Sequence, residues 1–452
     1  MAEKTDVLVI GGGAAGNVAA TTGKSFYPDK NFLIVRKEQQ VLVSCGIPYI
    51  FGSLKNSEQN IVPDTVLSNV DVQLKIDEVV SIKQHDKVCE TADGTEIRFE
   101  KLVLALGSTP VVPKWLKGGD LGNVFTIPKD KQAIDKIKTK LEDCNKVIVI
   151  GGGFIGVEMA DEINKLGKDV TIVEILPHIL TLAFDDELAI KAGEILESRG
   201  IHIRTGDGVK ELLGNKKVTG VLLNNGEKLK ADAIILSMGY KPNIGLAEKS
   251  GIKINELGFI SVDEYMRTNN LDIFAVGDCA EKRSFLTKTL RGIMLASTAC
   301  AEARVAGINL YKLSAVKTFT GTIAMFCTAI GDTAFGAAGV TENLANERGF
   351  DIVTGTFEGI DRHPGTLPGT HKQIVKLIFT RESGILIGGE VIGGPGTGEL
   401  INLIGFSIEN RIMIVSILTA QIATHPLLTA PPTAYPFIKA AEIAVKKLRN
   451  AK

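Results

Sequence analysis

A predicted strand followed by a glycine-rich turn and a predicted helix occurs twice in this chain, and this repeat constrains the fold more than any other feature. Residues 6–10 (DVLVI) lead into residues 11–16 (GGGAAG), and residues 146–150 (KVIVI) lead into residues 151–156 (GGGFIG). Both turns read G-x-G-x-x-G between a strand and a helix, the setting in which glycines let the backbone approach a pyrophosphate at a helix N-terminus. One such turn can be purely structural, but two predict an α/β protein with two Rossmann-like domains and two bound dinucleotides.

The residue at the end of the second strand of each repeat indicates which dinucleotide binds. In the second repeat, the predicted strand over residues 170–173 ends at Glu174, whose carboxylate would accept a hydrogen bond from a ribose 2′-hydroxyl and repel a 2′-phosphate. This favours NADH over NADPH, and a flavin is the useful redox partner of a nicotinamide. In the first repeat Arg36 stands where an acidic residue is expected, and Glu38 is near enough in sequence to reach the ribose, so that contact stays open.

Two further predicted strands end at the predicted carboxyl edge of a parallel sheet, where ligands bind. Residues 102–106 end at Gly107, and residues 271–276 are followed after one glycine by Asp278. Asp278 is therefore a candidate ligand of a ribitol hydroxyl; a helix N-cap is the alternative role, and both roles can hold. A helix is predicted over residues 294–307, with its start facing the same edge.

The length of 452 residues exceeds what one hydrophobic core supports, so several domains are expected. We predict an FAD-binding domain formed by residues 1–112 and 252–318, and an NAD(P)H-binding domain over residues 113–251. Strand-like segments with glycine turns and two helical segments predict a third, α+β domain over residues 319–452. Its glycine-rich residues 393–398 lack the Gly-Lys-Ser/Thr ending of a phosphate loop and are interpreted as a plain loop.

The overall charge and the cysteine pattern argue against several functional classes. The formal net charge of −1 gives no general attraction to nucleic acid or to an anionic membrane. No apolar run reaches the length of about 18 residues that a membrane span needs, and the start shows no signal-peptide pattern, so a cytoplasmic protein is expected. The six cysteines include no C-x-x-C pair, which argues against a disulfide framework or a metal site. Those expected to be small buried residues are Cys89, Cys144, Cys279, Cys300 and Cys327.

The sixth cysteine, Cys45, stands between the apolar residues 41–43 and a Gly-x-Pro sequence. We interpret Cys45 as a redox-active thiol held against the flavin, because a helix N-terminus and an electron-poor ring both stabilise a thiolate. A packed core cysteine is the alternative. On the redox interpretation, the rest of the chain delivers electrons to this thiol.

These motifs resemble those of the FAD-dependent pyridine nucleotide–disulfide oxidoreductases over essentially the whole chain. The resemblance is carried by the two G-x-G-x-x-G fingerprints at residues 11–16 and 151–156, the turn at residues 105–107, the strand end at residues 276–278 and the C-terminal α+β segment. Residues 44–49 (SCGIPY) resemble the single-cysteine branch, which includes coenzyme A-disulfide reductases, NADH oxidases and peroxidases, and NAD(P)H polysulfide or sulfur reductases. The two-cysteine members carry C-x-x-x-x-C, and here Ile50 occupies the second cysteine position.

The resemblance implies binding residues for both cofactors. Those implied for FAD are Gly11, Gly13, Ala14, Ala15, Gly16, Arg36, Lys37, Glu38, Ser44, Val80, Ala105, Leu106, Gly107, Gly277, Asp278, Ala296, Ser297 and Thr298. Those implied for NADH, with NADPH as the alternative, are Gly151, Gly153, Phe154, Ile155, Gly156, Glu158, Glu174, Met238 and Gly239. It further implies a homodimer in which residues 425–435 of the partner subunit complete each active site. His425 or Tyr435 would then give a proton to the leaving sulfur, a structural contact beside Pro426 being the alternative for His425.

The function implied is electron transfer from NADH through FAD to Cys45, which reduces a small disulfide, a persulfide or polysulfide, or coenzyme A disulfide. Three departures from the branch bear on the acceptor. Ala14 replaces a histidine of the oxidases and peroxidases, Lys24 is the only nearby cation where coenzyme A-disulfide reductases carry arginines, and residues 364–369 replace their tyrosine-rich turn. These departures favour a sulfur acceptor over peroxide and make coenzyme A one of several thiol partners. The alternatives are an NADH oxidase, a reductase for a protein partner with an inert Cys45, and an NADH-sensing binding protein.

Overall fold

The computed structural model describes residues 3–313 and 318–450, which fold into two compact units. One unit combines Met1–Asn145 with Ile235–Thr322, and the other combines Lys146–Ile234 with Ile323–Lys452. The two glycine-rich fingerprints fall in different units. The boundaries of the FAD-binding, NAD(P)H-binding and C-terminal domains stay a prediction.

The described strands are β1 (Glu3–Lys4), β2 (Val7–Ile10), β3 (Phe32–Arg36), β4 (Val41–Leu42), β5 (Ile61–Val62), β6 (Val72–Ile76), β7 (Val79–Lys83), β8 (Val88–Thr91), β9 (Glu96–Arg98), β10 (Lys101–Leu104), β11 (Ser108–Pro110), β12 (Val124–Thr126), β13 (Lys146–Ile150), β14 (Asp169–Val173), β15 (His202–Arg204), β16 (Val209–Gly214), β17 (Val218–Leu223), β18 (Lys228–Lys230), β19 (Ala233–Leu236), β20 (Tyr240–Pro242), β21 (Ile273–Ala275), β22 (Phe326–Ile330), β23 (Thr333–Gly339), β24 (Ile352–Ile360), β25 (Lys372–Thr380) and β26 (Leu386–Gly393). The described α-helices are α1 (Ala14–Phe26), α2 (Thr65–Ser68), α3 (Lys131–Glu142), α4 (Phe154–Asn164), α5 (Asp186–Ser198), α6 (Gly245–Lys249), α7 (Ala296–Ile308), α8 (Glu342–Glu347), α9 (Thr397–Glu409), α10 (Ile414–Leu418) and α11 (Pro436–Asn450).

The first unit is built on a five-stranded parallel sheet with the order β21-β10-β2-β3-β6. Its strands are rich in valine, isoleucine and leucine and are mostly buried, as expected for a sheet covered on both faces. Helices α1 and α7 pack so closely that a Cβ atom at Gly307 would lie 2.9 Å from the carbonyl oxygen of Ala19. Because all five strands run the same way, the carboxyl ends of β2, β10 and β21 meet at one edge, where both Gly11 and Asp278 are found.

The second unit contains two different sheet types. Strands β13, β14 and β15 are parallel neighbours and carry the second fingerprint. A five-stranded antiparallel sheet with the order β22-β23-β26-β25-β24 forms the C-terminal part. Helix α11 lies directly on this sheet, since a Cβ atom at Gly355 of β24 would be only 1.9 Å from the carbonyl oxygen of Ala440.

The predicted elements are found with shifted ends. The helix predicted over residues 294–307 is found as α7 (Ala296–Ile308). The last helix begins at Pro436, after a separate 3-10 turn at Pro432–Ala434. A hairpin turn at Asp93-Gly94 joins β8 and β9. Both Rossmann-like parallel sheets and the α+β C-terminal segment are confirmed. Within the described ranges, the helices lack the combination of length and apolarity that a membrane span requires.

Candidate active site

The first glycine-rich turn, between β2 and α1, is closed by contacts that only glycine allows. Gly11 has a φ angle of +107°, and a Cβ atom there would lie 2.2 Å from the carbonyl oxygen of Ala105. A Cβ atom at Gly16 would lie 1.9 Å from the carbonyl oxygen of Gly11. The turn is therefore compact for a steric reason, which brings the start of α1 to the carboxyl edge of the sheet.

The start of α1 offers donors to a ligand. Among the described residues, no atom lies within 4 Å of the position that a Cβ of Gly13 would take, no side chain caps α1, and its first turn carries no acidic residue. The first backbone N–H groups of the helix therefore have no side-chain cap, and the positive end of the helix dipole lies beside open space at Gly13. This arrangement fits the pyrophosphate of FAD.

Asp278 lies at the same edge and is held as a carboxylate. Its Oδ2 atom accepts hydrogen bonds from Ser108 Oγ at 2.7 Å and Lys129 Nζ at 2.6 Å. Burial opposes ionisation of Asp278, but Lys129 and Ser108 outweigh it, so the pKa of this carboxyl lies below its ordinary value. A charged acceptor at this position fits a ribitol hydroxyl. Lys129 and Ser108 were not identified from the sequence, because neither belongs to a motif.

A buried ion pair lies directly behind Asp278. Lys282 and Glu302 are both fully buried, and Glu302 Oε2 accepts from Lys282 Nζ at 3.0 Å and from the backbone N–H of Gly277 at 2.8 Å. Lys282 also donates to the carbonyl oxygen of Gly277 at 2.6 Å. The pair therefore fixes both peptide groups of Gly277, whose φ angle is +76°.

Several other residues implied for FAD have protein partners or exposed side chains. The buried guanidinium of Arg36 donates to Asp64 at 2.7 and 2.9 Å and to the carbonyl oxygens of Glu38 and Gln39. Its donors are used within the protein, which explains why an arginine is stable where an acid was expected. Lys37 is exposed, Glu38 is half-buried, and Val80 is 50% exposed on β7. The roles of these residues toward FAD stay predictions.

The remaining residues implied for FAD lie on the same unit. Ala105, Leu106 and Gly107 follow β10, and Gly107 has a φ angle of +68°. Ala296, Ser297 and Thr298 form the first turn of α7.

Cys45 is exposed on a 3-10 turn, Ser44–Gly46, which follows β4. A second 3-10 turn, Pro48–Phe51, comes next and buries Ile50 and Phe51. Lys138 of α3 donates to the carbonyl oxygens of Ile50 at 2.6 Å and Lys55 at 2.9 Å. The thiol therefore lies on a short turn whose far end is anchored in the protein.

The other cysteines differ from Cys45 in their surroundings. Cys89, Cys144 and Cys279 are buried as predicted, and burial raises the pKa of Cys89 to about 12 and that of Cys279 to about 11. Cys300 is half-buried. The expectation of burial was wrong for Cys327, which is exposed because it lies on the edge strand β22.

The second fingerprint, between β13 and α4, repeats the geometry of the first. Gly151 has a φ angle of +106°, and no described atom lies within 4 Å of the Cβ position of Gly153. Glu174 follows β14 and accepts from the backbone N–H of Gly152 at 2.5 Å and of Leu176 at 2.8 Å. These bonds hold one negative charge beside the turn, which fits a nicotinamide dinucleotide with an unmodified ribose.

Glu158 and Phe154 of α4 contact strand β22. Thr328 Oγ1 donates to Glu158 Oε1 at 2.9 Å, and the rings of Phe154 and Phe326 stack with centroids 5.2 Å apart. Burial raises the pKa of Glu158 to about 7, and the Thr328 hydrogen bond partly offsets this effect. Glu158 can therefore exchange a proton near neutral pH. Ile155 and Gly156 lie on the same helix, whereas Met238 and Gly239 follow β19 in the other unit.

His425 and Tyr435 lie on the segment between α10 and α11. His425 is exposed, and its Nδ1 atom accepts from the backbone N–H of Leu427 at 3.2 Å, which leaves Nε2 to carry the proton of the neutral ring. Burial raises the pKa of Tyr435. The segment is tied to the loop before β25, since His363 Nδ1 lies 3.1 Å from the carbonyl oxygen of Thr429.

The glycine-rich turns at residues 11–16 and 151–156, each with the start of the helix that follows, form two dinucleotide cradles on Rossmann-like sheets. Together with an exposed thiol, these cradles define a flavin- and nicotinamide-dependent oxidoreductase. The sequence profile described as "Pyridine nucleotide-disulphide oxidoreductase" matches residues 5–303, and that family's dimerisation domain matches residues 325–435. The chain belongs to the pyridine nucleotide-disulphide oxidoreductase family. It is an FAD-dependent NAD(P)H oxidoreductase, as the resemblance of its motifs predicted.

Curated relatives and solved structures match nearly the whole chain. The chain is 31% identical over 457 residues to "NADH oxidase" of Methanocaldococcus jannaschii, covering 98% of this chain and 99% of the relative. It is 31% identical over 400 residues to "NAD(P)H sulfur oxidoreductase (CoA-dependent)" of Pyrococcus furiosus, covering 86% and 88% of the two chains. The solved NAD-dependent persulfide reductase from A. fulgidus has a TM-score of 0.90 and 28% identity, covering 99% of this chain and 84% of that one.

Proposed function

We propose that this enzyme uses NADH to reduce a small sulfur compound, either a low-molecular-weight disulfide, a persulfide or a polysulfide, with Cys45 as the reacting sulfur. The observation that carries the proposal is the exposed position of Cys45 on a short turn of the unit that holds the first dinucleotide cradle. An exposed thiol on an anchored turn can meet a substrate sulfur, whereas a core cysteine cannot.

The residues of the first unit supply binding and orientation. Gly11, Gly13 and Gly16 would hold the FAD pyrophosphate at the start of α1, and Asp278 would accept a hydrogen bond from the ribitol. Bound FAD supplies the two-electron chemistry that connects a nicotinamide with sulfur.

The sulfur step is a thiol–disulfide exchange. The Cys45 thiolate attacks one sulfur of a substrate R–S–S–R. A new S–S bond joins Cys45 Sγ to that sulfur and gives the mixed disulfide Cys45 Sγ–S–R, while the substrate S–S bond breaks and R–S⁻ leaves. His425 or Tyr435 of the partner subunit would give this leaving sulfur its proton. Two electrons from NADH then restore the Cys45 thiolate and release the second R–S⁻. The balance is one NADH, one proton and one disulfide converted to NAD⁺ and two thiols.

Glu174 supports NADH as the donor over NADPH. Its carboxylate is fixed beside the second cradle by two backbone N–H groups, at 2.5 and 2.8 Å. A fixed negative charge accepts a bond from a ribose hydroxyl and repels a 2′-phosphate. The A. fulgidus structure to which this chain is similar is described as NAD-dependent.

A second candidate function is that of an NADH oxidase, with dioxygen or peroxide as acceptor. It is favoured by the M. jannaschii relative, which matches 98% of this chain and carries that name. Against it stands Ala14, which provides no acid or base where the oxidases and peroxidases carry a histidine. The sulfur proposal is in turn supported by the P. furiosus relative and by the A. fulgidus persulfide reductase.

The test is NADH oxidation by the FAD-loaded enzyme under argon with cystine, coenzyme A disulfide or polysulfide, and in air without them. Cys45→Ser is expected to lose sulfur-dependent turnover by at least about a hundredfold, because the attacking sulfur is gone. Cys327→Ser, which removes the other exposed cysteine, is the matched control and should keep full activity. Intact mass of the isolated protein would identify a thiol attached to Cys45.

Each contrary outcome identifies another function. Sulfur-dependent turnover that survives in Cys45→Ser would mean an inert cysteine and electron transfer to another partner. Rapid NADH consumption in air alone, without any sulfur acceptor, would favour the oxidase. No multiple-turnover NADH consumption with any acceptor would leave only a binding role.

A further inference from the structure

A buried side chain, that of Asn60, holds the turn that carries Cys45. Strands β4 and β5 pair only as far as Leu42 and Ile61. Beyond them, the backbone N–H of Val43 donates to the carbonyl oxygen of Asn60 at 2.9 Å, and Asn60 Nδ2 donates to the carbonyl oxygen of Val43 at 3.0 Å. Asn60 is 6% exposed. Its backbone and side chain together extend the ladder to the residue just before the Cys45 turn.

The carbonyl oxygen of Val43 is also the acceptor that closes this turn. It receives a second hydrogen bond from the backbone N–H of Gly46, at 2.8 Å. The carbonyl oxygen of Val43 therefore accepts the hydrogen bond that closes the 3-10 turn, Ser44–Gly46, and the side chain of Asn60 donates to the same oxygen. A 3-10 turn of this length has too few internal hydrogen bonds to hold its own orientation.

The side-chain oxygen of Asn60 also explains the glycine after Cys45. A Cβ atom at Gly46 would lie 2.1 Å from Asn60 Oδ1 and 3.0 Å from Asn60 Cγ. Gly46 does not have a positive φ angle, so its backbone conformation alone would tolerate alanine. Gly46 is required because Asn60 occupies the space beside it.

We propose that Asn60 is a positioning residue that sets the orientation of the Cys45 turn and thereby the direction in which the thiol meets its substrate. The catalytic meaning of this role rests on the function proposed above. The segment between Arg36 and Asp64 is closed at its base by the ion pair of these two residues at 2.7 Å. Asn60 acts inside that closed segment, where it touches the turn itself.

The first test measures the turn and does not depend on any activity. Backbone hydrogen exchange is compared between the FAD-loaded wild type and Asn60→Ala for the peptide covering residues 41–50. Exchange in this peptide is expected to become faster, because the carbonyl oxygen of Val43 loses the hydrogen bond from Asn60 Nδ2, so that the N–H of Gly46, which donates to this carbonyl, opens more often. The peptide covering α1 should stay unchanged. Asn69→Ala, which changes an exposed asparagine directly after α2 and outside this closed segment, is the control. Unchanged exchange in residues 41–50 would overturn the proposal.

The second test asks whether the orientation matters for turnover. A small misplacement of a reacting group can cost on the order of a hundredfold, so Asn60→Ala should lower kcat with the sulfur acceptor by roughly ten- to a hundredfold. FAD content and KM for NADH should not change. Gly46→Ala alone should be as impaired, whereas adding it to Asn60→Ala should cause little further loss, because the clashing oxygen is gone.

The outcomes separate this inference from the proposed function. If Cys45→Ser abolishes sulfur-dependent turnover but Asn60→Ala leaves kcat unchanged, the positioning role is wrong. Full additivity of Gly46→Ala and Asn60→Ala would also contradict it. If Cys45→Ser itself retains turnover, the proposed function fails, and the hydrogen-exchange result alone decides whether Asn60 holds the turn.

Discussion

At the scale of single residues, burial and hydrogen bonds decide which carboxyl groups of the cradles can carry a proton. Asp278 and Glu158 are both partly buried, but Lys129 lies beside Asp278, whereas a hydroxyl, that of Thr328, donates to Glu158. The pKa of Asp278 is therefore lowered, and that of Glu158 is raised to about 7. The first can serve only as an acceptor at neutral pH, while the second changes its charge there.

The titration of Glu158 is expected to appear in the pH dependence of NADH use. Above pH 7 the ionised carboxyl adds negative charge to a cradle that binds an anionic dinucleotide, so KM for NADH should rise as the pH increases through about 7. Glu158→Gln should remove this step. Because the hydrogen bond from Thr328 lowers the pKa of Glu158, Thr328→Val should move the step to higher pH.

Steady-state kinetics with NADH between about pH 5.5 and 9 measures this dependence in all three proteins. Thr333→Val, at the start of the next strand, is the matched control, because its hydroxyl lies by Asp332. A step that persists in Glu158→Gln, or that moves to lower pH in Thr328→Val, would contradict the prediction.

At the scale of the elements, one buried lysine joins four of them within the second unit. Lys376 of β25 lies 2.9 Å from Asp185 Oδ2, just before α5, and 2.7 Å from Glu342 Oε2 at the start of α8. Asp185 also accepts from the backbone N–H groups of Glu342 and Asn343, both at 2.9 Å. Glu390 of β26 completes the cluster through a 2.7 Å bond from the backbone N–H of Asp185.

Lys376→Met is expected to destabilise the protein by about 3–5 kcal/mol, because it leaves buried carboxyl groups without their cation. Lys372→Met is the matched control on the same strand. Its side chain is 83% exposed and its ion pair with Glu358 is solvated, so this substitution should change the free energy of unfolding by no more than about 1 kcal/mol. Denaturant unfolding of both variants measures the difference. Equal effects would contradict the structural role of the cluster.

At the scale of the whole molecule, the match to a dimerisation domain supports a homodimer. If His425 of the partner subunit is the proton donor of the proposed mechanism, each active site takes Cys45 from one subunit and His425 from the other. A protein with Cys45→Ser and one with His425→Ala would each be impaired. A mixed dimer would then contain one site with neither change and one site with both.

Mixing the two variants under conditions that exchange subunits is expected to restore activity. Random reassortment gives hybrids in half of the dimers, each with one intact site, so about a quarter of wild-type turnover should return. Activity is followed with NADH and a sulfur acceptor, and mixing each variant with itself is the control. A mixture that stays as inactive as its components would mean that both residues act within one subunit, or that His425 has only a structural role.

The relation between sequence and structure differs among these scales. Both fingerprints and the strand before Asp278 were predicted because strand, glycine turn and helix are set by backbone geometry within a few consecutive residues. The exposed position of Cys45 agrees with its interpretation as a reactive thiol, and its turn is described within the same short segment. The sequence by itself thus determined the fold class, the family and the positions of both cradles.

Only the tertiary structure decided what holds these positions. Lys129 and Ser108 donate to Asp278, and Asn60 fills the space beside Gly46. Lys376 lies within a cluster of carboxyl groups from three other elements. None of these partners is close in sequence. A lysine or an asparagine alone carries no periodic signal, and its role depends on which groups packing brings within about 3 Å. The local sequence pattern therefore determines where the candidate site residues lie, whereas burial and the pairing of distant residues set the charge and the orientation of their side chains.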